Sequence, residues 1–117
     1  MLSEQQSALL PLTPAVFFIL LALADGEKHG YAVMQQVAGL SDDKVRMGPG
    51  TLYSTIQRLL ELSLIEETNV RGEAEDSRRR YYRLTRAGRA ILQAELGRMD
   101  AVLKIAHKKG LVPDHAH

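Results

Sequence analysis

The sequence contains no cysteine and no tryptophan. Without cysteine the chain has no disulfide, no thiolate nucleophile and no cysteine-containing zinc site, which is typical of the reducing cytosol, so we expect a cytoplasmic location. Aromatic residues are scarce, with four tyrosines and two phenylalanines in 117 residues. A ligand sandwich built from tryptophan is therefore excluded.

Long hydrophobic runs are also missing. The longest apolar stretch covers residues 15–24, ten residues, whereas a membrane-spanning helix needs roughly 20. Residues 1–6 carry no basic cluster of the kind that begins a signal peptide. We expect no contact with a membrane, and the 45% hydrophobic and 25% charged residues suit one globular domain.

Motifs of catalysis are absent as well. The sequence has no Gly-x-Ser-x-Gly nucleophile turn, no GxxxxGK[ST] phosphate loop and no HExxH metal motif. His115 and His117 are close together, but a terminal tail with no further ligand nearby is a poor metal site. We therefore expect neither an enzyme nor a cofactor nor a bound metal.

What the chain does have is an uneven distribution of charge. Residues 1–43 hold one lysine and five acids, whereas residues 44–109 hold fourteen basic and eight acidic residues. Six arginines fall within twelve residues that contain no acid: Arg78, Arg79, Arg80, Arg83, Arg86 and Arg89. Such a run either attracts a polyanion or serves as a solvated surface.

The hydrophobic spacing predicts three helices in the first half of the chain. Thr13 and Pro14 suit the start of the first, which is apolar on all sides and so must be surrounded. The second begins near Gly30, and there Tyr31, Met34 and Val37 repeat in steps of three. The third follows the turn at residues 48–51.

The third predicted helix has two contrasting faces. Its apolar side consists of Leu52, Ile56, Leu59 and Leu60, among which Leu52 and Leu59 are expected in the core. Its polar side consists of Thr51, Ser54, Thr55, Gln57, Arg58 and Glu61. A polar helix face of this kind either fits the major groove of DNA or belongs to an ordinary surface helix.

The second half of the chain predicts a β-hairpin and one long helix. Residues 64–70 and 79–84 form the strands, and alternation places one of Tyr81 and Tyr82 in the core. The helix runs from a cap at Thr85 to about Lys109. Its heptad positions are Leu92, Leu96, Met99, Leu103 and Ala106, widened by Ile91, Val102 and Ile105. This stripe packs on a partner or back on its own domain.

The order of these elements is that of a winged helix-turn-helix domain, a mainly α fold with a small β-hairpin, followed by a long C-terminal helix. We divide the chain into an N-terminal segment (residues 1–11), a winged helix-turn-helix domain (12–85), a dimerisation helix (86–110) and a tail (111–117). Whether residues 2–10 form an additional helix stays open.

Several motifs also resemble those of one known family. They are Leu12-Thr13-Pro14, Lys28-His29-Gly30-Tyr31-Ala32, Gly48-Pro49-Gly50-Thr51-Leu52-Tyr53, Leu64-Ile65 and Arg79-Arg80-Tyr81-Tyr82-Arg83-Leu84-Thr85-Arg86-Ala87-Gly88. Over almost the whole chain the sequence resembles the PadR family of transcriptional regulators, in its short subclass with a single C-terminal helix.

The resemblance implies a homodimeric, ligand-responsive repressor that binds double-stranded DNA at an inverted repeat. It implies DNA contacts from Tyr31, Thr51, Tyr53, Ser54, Gln57, Arg58, Arg78, Arg79 and Arg80. It implies a dimer interface at Leu92, Leu96, Met99, Leu103 and Ala106. It also implies a small apolar or aromatic effector, for which Phe17, Phe18 and Met99 could line a pocket.

Some of these residues have simpler interpretations. Gly30 and Gly50 permit close backbone approach, and His29 either donates to a phosphate or caps the second helix. An alternative for the whole protein is a winged-helix module that binds another protein and uses its arginines only for solubility.

Overall fold

A computed structural model of the chain describes residues 2–68 and 80–113. In these ranges it contains five helices and three short strands, so the expected mainly α fold with a small sheet is confirmed. The elements are α1 (Glu4–Ser7), α2 (Pro14–Ala22), β1 (Lys28–His29), α3 (Gly30–Leu40), α4 (Pro49–Glu61), β2 (Ile65–Thr68), β3 (Tyr81–Leu84) and α5 (Arg86–Lys108).

The central helix of the core is α2. The hydroxyl of Thr13 accepts a hydrogen bond from the Val16 N–H at 3.3 Å, and Pro14 occupies the first helical position, as expected. Helices α3 and α5 both pack against α2. Its buried residues are Val16, Phe17, Ile19, Leu20 and Ala22, which is why the sequence is apolar on every side.

The buried face of α3 differs from the predicted one. Gly30, Val33 and Val37 are buried, whereas Tyr31 is 58% exposed. The buried residues follow i, i+3, i+7 from Gly30. Of the predicted stripe Val37 is buried and Met34 packs half-buried against the core, so Tyr31 alone faces away from it. Glycine has no side chain that contributes to a hydrophobic pattern, so the burial of Gly30 could not be predicted from that pattern.

The predicted hairpin belongs to a three-stranded antiparallel sheet in the order β1-β3-β2. Lys28 pairs with Tyr82 in the added strand, and Ile65 pairs with Leu84 across the hairpin. The observed β2 and β3 are shorter than residues 64–70 and 79–84, and residues 69–79 lie outside the described ranges. Tyr82 is buried and Tyr81 half-buried, which agrees with the predicted alternation.

Helix α5 begins at Thr85, whose hydroxyl accepts from the Gly88 N–H at 3.0 Å and donates to the Ser63 carbonyl at 2.6 Å. Its first three turns bury Gly88, Ile91, Leu92 and Glu95 against the rest of the chain. The helix ends at Lys108, close to the expected Lys109. Within the described part of the chain, no helix combines the length and the apolar character that spanning a membrane requires.

The N-terminal segment does form an additional short helix. Ser3 and Gln6 build a reciprocal capping box at the start of α1, and the Gln6 amide donates to the Leu62 carbonyl at 2.7 Å. The backbone N–H of Leu12 donates to Glu95 on α5 at 3.0 Å. The segment is therefore attached to the end of α4, and Leu12, which follows it, is attached to the first half of α5.

Candidate nucleic-acid interface

Helix α4 presents the polar face that the sequence predicted. Gly48 is its N-cap and Pro49 its first residue, so the rigid Gly-Pro-Gly turn fixes where the helix starts. Leu52, Ile56 and Leu59 are buried beneath it. On its outer side Thr51, Ser54, Gln57 and Arg58 are exposed, while Thr55 is half-buried.

The side chains of this face differ in how firmly they are held. The hydroxyls of Ser54 and Thr55 donate to the Thr51 carbonyl at 3.1 and 2.8 Å, which leaves their lone pairs for an external donor. The Gln57 amide lies 3.5 Å from a Glu61 oxygen, the outer limit of a hydrogen bond. Arg58 has no ion pair with any described residue. Gln57 is thus weakly held and Arg58 is not ion-paired within the described residues, so both long side chains can reach an external ligand.

Tyr53 connects α4 to the start of α3. Its ring lies over Gly30, where an added Cβ would overlap the Tyr53 hydroxyl and lie 2.6 Å from Cζ. Tyr53 is nevertheless 45% exposed. The close approach expected at Gly30 is therefore present, whereas the one expected at Gly50 is wrong, because a Cβ there would meet nothing within 4 Å.

The start of α3 lies beside this contact. His29 is the N-cap, and its Nδ1 accepts from the Ala32 N–H at 3.2 Å, as the capping interpretation predicted. The His29 ring also meets the edge of Tyr81, with centroids 5.5 Å apart. Tyr31 projects from the first turn of α3 into solvent, on the same end of the helix.

A groove of about 420 Å³ separates α3 from the loop before α4. Its lining includes one predicted residue, Tyr31, and one that the sequence analysis missed, Arg46. The Arg46 guanidinium is largely exposed and only loosely paired, 3.6 Å from Asp43. The usable signal was position, because Arg46 comes two residues before the Gly-Pro-Gly turn that begins α4.

The described part of the wing carries two ion pairs across the strands. Arg80 contacts Glu67 at 2.6 Å, and Arg83 contacts Glu66 at 2.7 Å. The Glu67 carboxylate raises the pKa of Arg80 further above its ordinary value. Of the predicted wing residues Arg78 and Arg79 lie outside the described ranges, and Arg80 is exposed but shares its charge with Glu67.

The predicted dimer residues on α5 divide into two groups. Leu92 is buried in the core of its own chain, which argues against the predicted contact with a partner. Leu96, Met99 and Leu103 are exposed and Ala106 is half-buried. The apolar stripe on the surface thus begins at Leu96.

Glu95 marks the boundary between these two groups. Its side chain is only 1% exposed and binds Arg98 through both oxygens, at 2.8 and 3.1 Å. The Arg98 guanidinium lowers the pKa of this carboxyl; burial opposes that effect, and the Leu12 N–H reinforces it. A buried carboxylate so completely bonded is structural, and no element of the sequence pattern pointed to it.

The residues proposed for an effector pocket are in different surroundings. Phe17 is buried and meets Phe18 edge to face, with centroids 5.1 Å apart, whereas Met99 lies on the exposed stripe of α5. Among residues 2–68 and 80–113 there is no group of three or more histidines, aspartates and glutamates that could hold a metal ion. His115 and His117 lie outside these ranges.

Taken together, three helices, a three-stranded sheet with a wing and an exposed polar recognition helix define the winged helix-turn-helix class. The family model of the transcriptional regulator PadR-like family matches residues 19–94. The chain belongs to this family of transcriptional regulators, as its motifs indicated. The expectation that it is not an enzyme is thereby confirmed at the level of the family.

Individual relatives agree with this assignment. A transcriptional regulator of Mycobacterium tuberculosis is 45% identical over 71 residues, which are 59% of this chain and 60% of that protein. The curated relatives are matched over 21% to 67% of their own lengths.

Two solved structures are similar in fold. A PadR family transcription regulator from Clostridium difficile has a TM-score of 0.68 and 22% identity, covering 82% of this chain and 97% of that one. A homodimeric winged helix-turn-helix DNA-binding domain from Mycobacterium bovis has a TM-score of 0.52 and 22% identity, covering 98% and 96%. At these identities the likeness concerns the fold alone.

Proposed function

We propose that this protein binds double-stranded DNA sequence-specifically as a homodimer and thereby represses transcription. The observation that carries the proposal is the exposed polar face of α4, held in place by Leu52, Ile56 and Leu59 beneath it. A helix supported in this way fits the major groove, where each base pair presents its own pattern of donors and acceptors.

The side chains of this face would have two kinds of role. Gln57 and Arg58 are free to move and carry the donors that read base edges, so we assign them to base recognition. Thr51, Ser54 and Tyr31 are short or peripheral, so we assign them to the sugar-phosphate backbone together with Tyr53. Arg78, Arg79 and Arg80 would contact the flanking backbone from the wing.

The dimer would form through the exposed stripe of α5. Leu96, Met99, Val102, Leu103 and Ile105 are 38–55% exposed in the single chain. Large apolar side chains grouped on one helix face are typical of an interface, and the similar domain from Mycobacterium bovis is homodimeric. Two-fold symmetry then predicts an inverted repeat with half-sites about one turn, or 10–10.5 bp, apart.

The experiment that tests the proposal is a selection from random duplexes followed by binding measurements across a salt series. We expect a palindromic consensus that binds far more tightly than a control duplex, with affinity that falls steeply as salt rises. Weak binding that is equal for both duplexes and insensitive to salt would contradict it.

Replacement of Gln57 by Ala tests base recognition directly. We expect a change in the ranking of operators at one base pair, worth about 1–3 kcal/mol. Gln93→Ala is the matched control, because Gln93 is an exposed glutamine on α5, outside the proposed DNA face. If the ranking is the same for both variants, Gln57 is not a base reader.

The alternative of a protein-binding module has one observation in its favour. Arg80 and Arg83 are both paired with glutamates, which lowers the positive field of the described part of the wing. Reversal of charge at Arg79 and Arg80 separates the two functions, since it weakens DNA binding but leaves binding to a protein partner unchanged.

Three finer predictions belong to the same proposal. The repressor role, the cytoplasmic location and the response to an apolar effector stay predictions. For the effector, release of operator DNA on addition of a small aromatic compound is the expected result, and Met99→Ala is expected to weaken that response.

A further inference from the structure

The wing contains two ion pairs of the same chemistry on opposite sides of the sheet. Arg80 binds Glu67 at 2.6 Å and Arg83 binds Glu66 at 2.7 Å, and all four side chains are partly exposed. Glu66 and Glu67 are adjacent in β2, so their side chains point to opposite faces. The two Arg–Glu pairs therefore allow the same substitution to be compared on the two faces of the sheet.

Only one of the two pairs lies on the face of the sheet that carries the buried Tyr82. Glu67 is paired in register with Tyr82, the buried tyrosine of β3. Burial raises the pKa of the Tyr82 phenol, the nearby charges of Glu67 and Tyr53 raise it further, and Arg80 lowers it. Alternation along β2 puts Glu67 on the same face as the buried Ile65, and α4 packs against this strand. The Arg80–Glu67 pair therefore lies on the face of the sheet that is turned towards the core. Glu66 instead faces Arg83, its register partner on the other side of the sheet.

We propose that Glu67 competes with DNA phosphate for the guanidinium of Arg80 and so limits the affinity of the protein for DNA. This inference rests on the proposed function. A carboxylate and a phosphate oxygen accept the same charge-assisted hydrogen bonds. Glu67 accepts from one terminal nitrogen of Arg80, so that donor must leave Glu67 before it binds phosphate, and the charge of Glu67 repels a phosphate that approaches the remaining donors. Glu67 therefore weakens the contact between Arg80 and phosphate, and it sets the strength of DNA binding without touching DNA itself.

The test uses the full chain and a control duplex of arbitrary sequence, because phosphate contacts do not depend on the operator. Glu67→Gln keeps the size of the side chain but removes its charge. We expect binding to become about two- to fivefold tighter per bound protomer, the range that an exposed ion pair spans in an equilibrium constant.

The matched controls separate this mechanism from a general change of charge. Glu66→Gln makes the same change on the far face and is expected to leave affinity nearly unaltered. In an Arg80→Gln background the gain in affinity from Glu67→Gln is expected to vanish, because the guanidinium that Glu67 binds is no longer present. Thermal midpoints of all variants check that each is folded.

Two results would overturn the inference alone. One is an equal gain from Glu66→Gln and Glu67→Gln, and the other is a gain that persists without Arg80. If the folded wild-type chain shows no salt-dependent binding to any duplex, the proposed function itself fails and the inference fails with it.

Discussion

The two halves of α5 each carry an apolar face but differ in what covers it. In the first half Gly88, Ile91 and Leu92 are buried against the chain's own core. In the second half the large apolar residues remain exposed, namely Leu96, Met99, Val102, Leu103 and Ile105. A hydrophobic period thus indicates which face of a helix is apolar, and says nothing of whether the cover comes from the same chain or from another.

The buried carboxylate of Glu95 divides these halves. It accepts from Leu12, the first residue of the winged-helix domain, and from Arg98 one turn further along α5. Through Leu12 the helix is attached to the start of the winged-helix domain, and beyond Arg98 it extends away from it. The direction in which the second half leaves the domain is therefore fixed by the packing of the first half, and that direction would set the spacing between two recognition helices in a dimer.

The largest effect is expected in the exposed half. Replacement of both Leu96 and Leu103 by Lys places two charges in the proposed dimer interface, which should release monomers. DNA affinity should then fall by on the order of 100-fold, because the second half-site no longer binds as part of the same complex. Sedimentation and operator binding measure the two consequences.

A control with the same added charge comes from the other face of this helix. Ala94 and Gly97 are exposed there, so their replacement by Lys should leave both oligomeric state and affinity close to wild type. A dimer that survives the Leu96 and Leu103 changes would show that this stripe is not the interface.

The next effect distinguishes the two halves by thermodynamics. Leu92→Ala removes buried methyl groups and should cost about 3 kcal/mol of unfolding free energy, independent of protein concentration. Leu103→Ala should lower stability only through the dimer, so its effect should change with protein concentration. Urea unfolding at two widely separated protein concentrations distinguishes the two variants. If the loss of stability in Leu92→Ala depends on protein concentration, Leu92 belongs to the dimer interface.

A smaller effect is expected at the boundary. Glu95→Gln keeps the shape of the side chain but weakens its bonds to Arg98 and Leu12, so it should cost about 2 kcal/mol at neutral pH. Because the pKa of Glu95 is lowered in the folded state, its stabilising contribution is present above its ordinary range. That contribution is lost as pH falls below about 4, where the unfolded chain takes up the proton first.

Urea unfolding of wild type and Glu95→Gln at several pH values tests whether the difference between their unfolding free energies shrinks as the pH falls. The exposed pair of Asp100 with Lys104, 3.1 Å apart in the second half of the helix, gives the control. Asp100→Asn should cost less than about 0.5 kcal/mol at every pH. If the gap between wild type and Glu95→Gln stays constant down to pH 3, ionisation of Glu95 does not stabilise the fold.

These contrasts also show which features of the fold and of the candidate site could be predicted from the sequence. The caps at Thr13 and Thr85 and the two faces of α4 could be predicted, because each depends on residues within one or two turns of helix. The family assignment followed from short motifs at fixed separations. Local information was sufficient for all of these features.

What escaped prediction depends on distant parts of the chain. Strand β1 has two residues and no period, and it exists only because β3 lies beside it. The burial of Leu92, the partners of Glu95 and the pairing of Arg80 with Glu67 all join segments whose proximity the fold creates. For the candidate site, the sequence therefore identified the exposed residues of α4 but not Glu67, the acid that forms an ion pair with Arg80.

The smallest effects come from two glycines, one in each half of α5. An added Cβ at Gly97 would meet nothing within 4 Å, so Gly97→Ala should stabilise the helix by about 1 kcal/mol. At Gly88 the same atom would overlap the backbone carbonyl oxygen of Leu64, which cannot move aside as a side chain can. Gly88→Ala should therefore destabilise the protein by more than 1 kcal/mol. Opposite signs in thermal unfolding would establish that the first half is packed to backbone contact while this side of the second half is open. A loss of stability at Gly97 would instead indicate that a partner approaches this side of the helix as well.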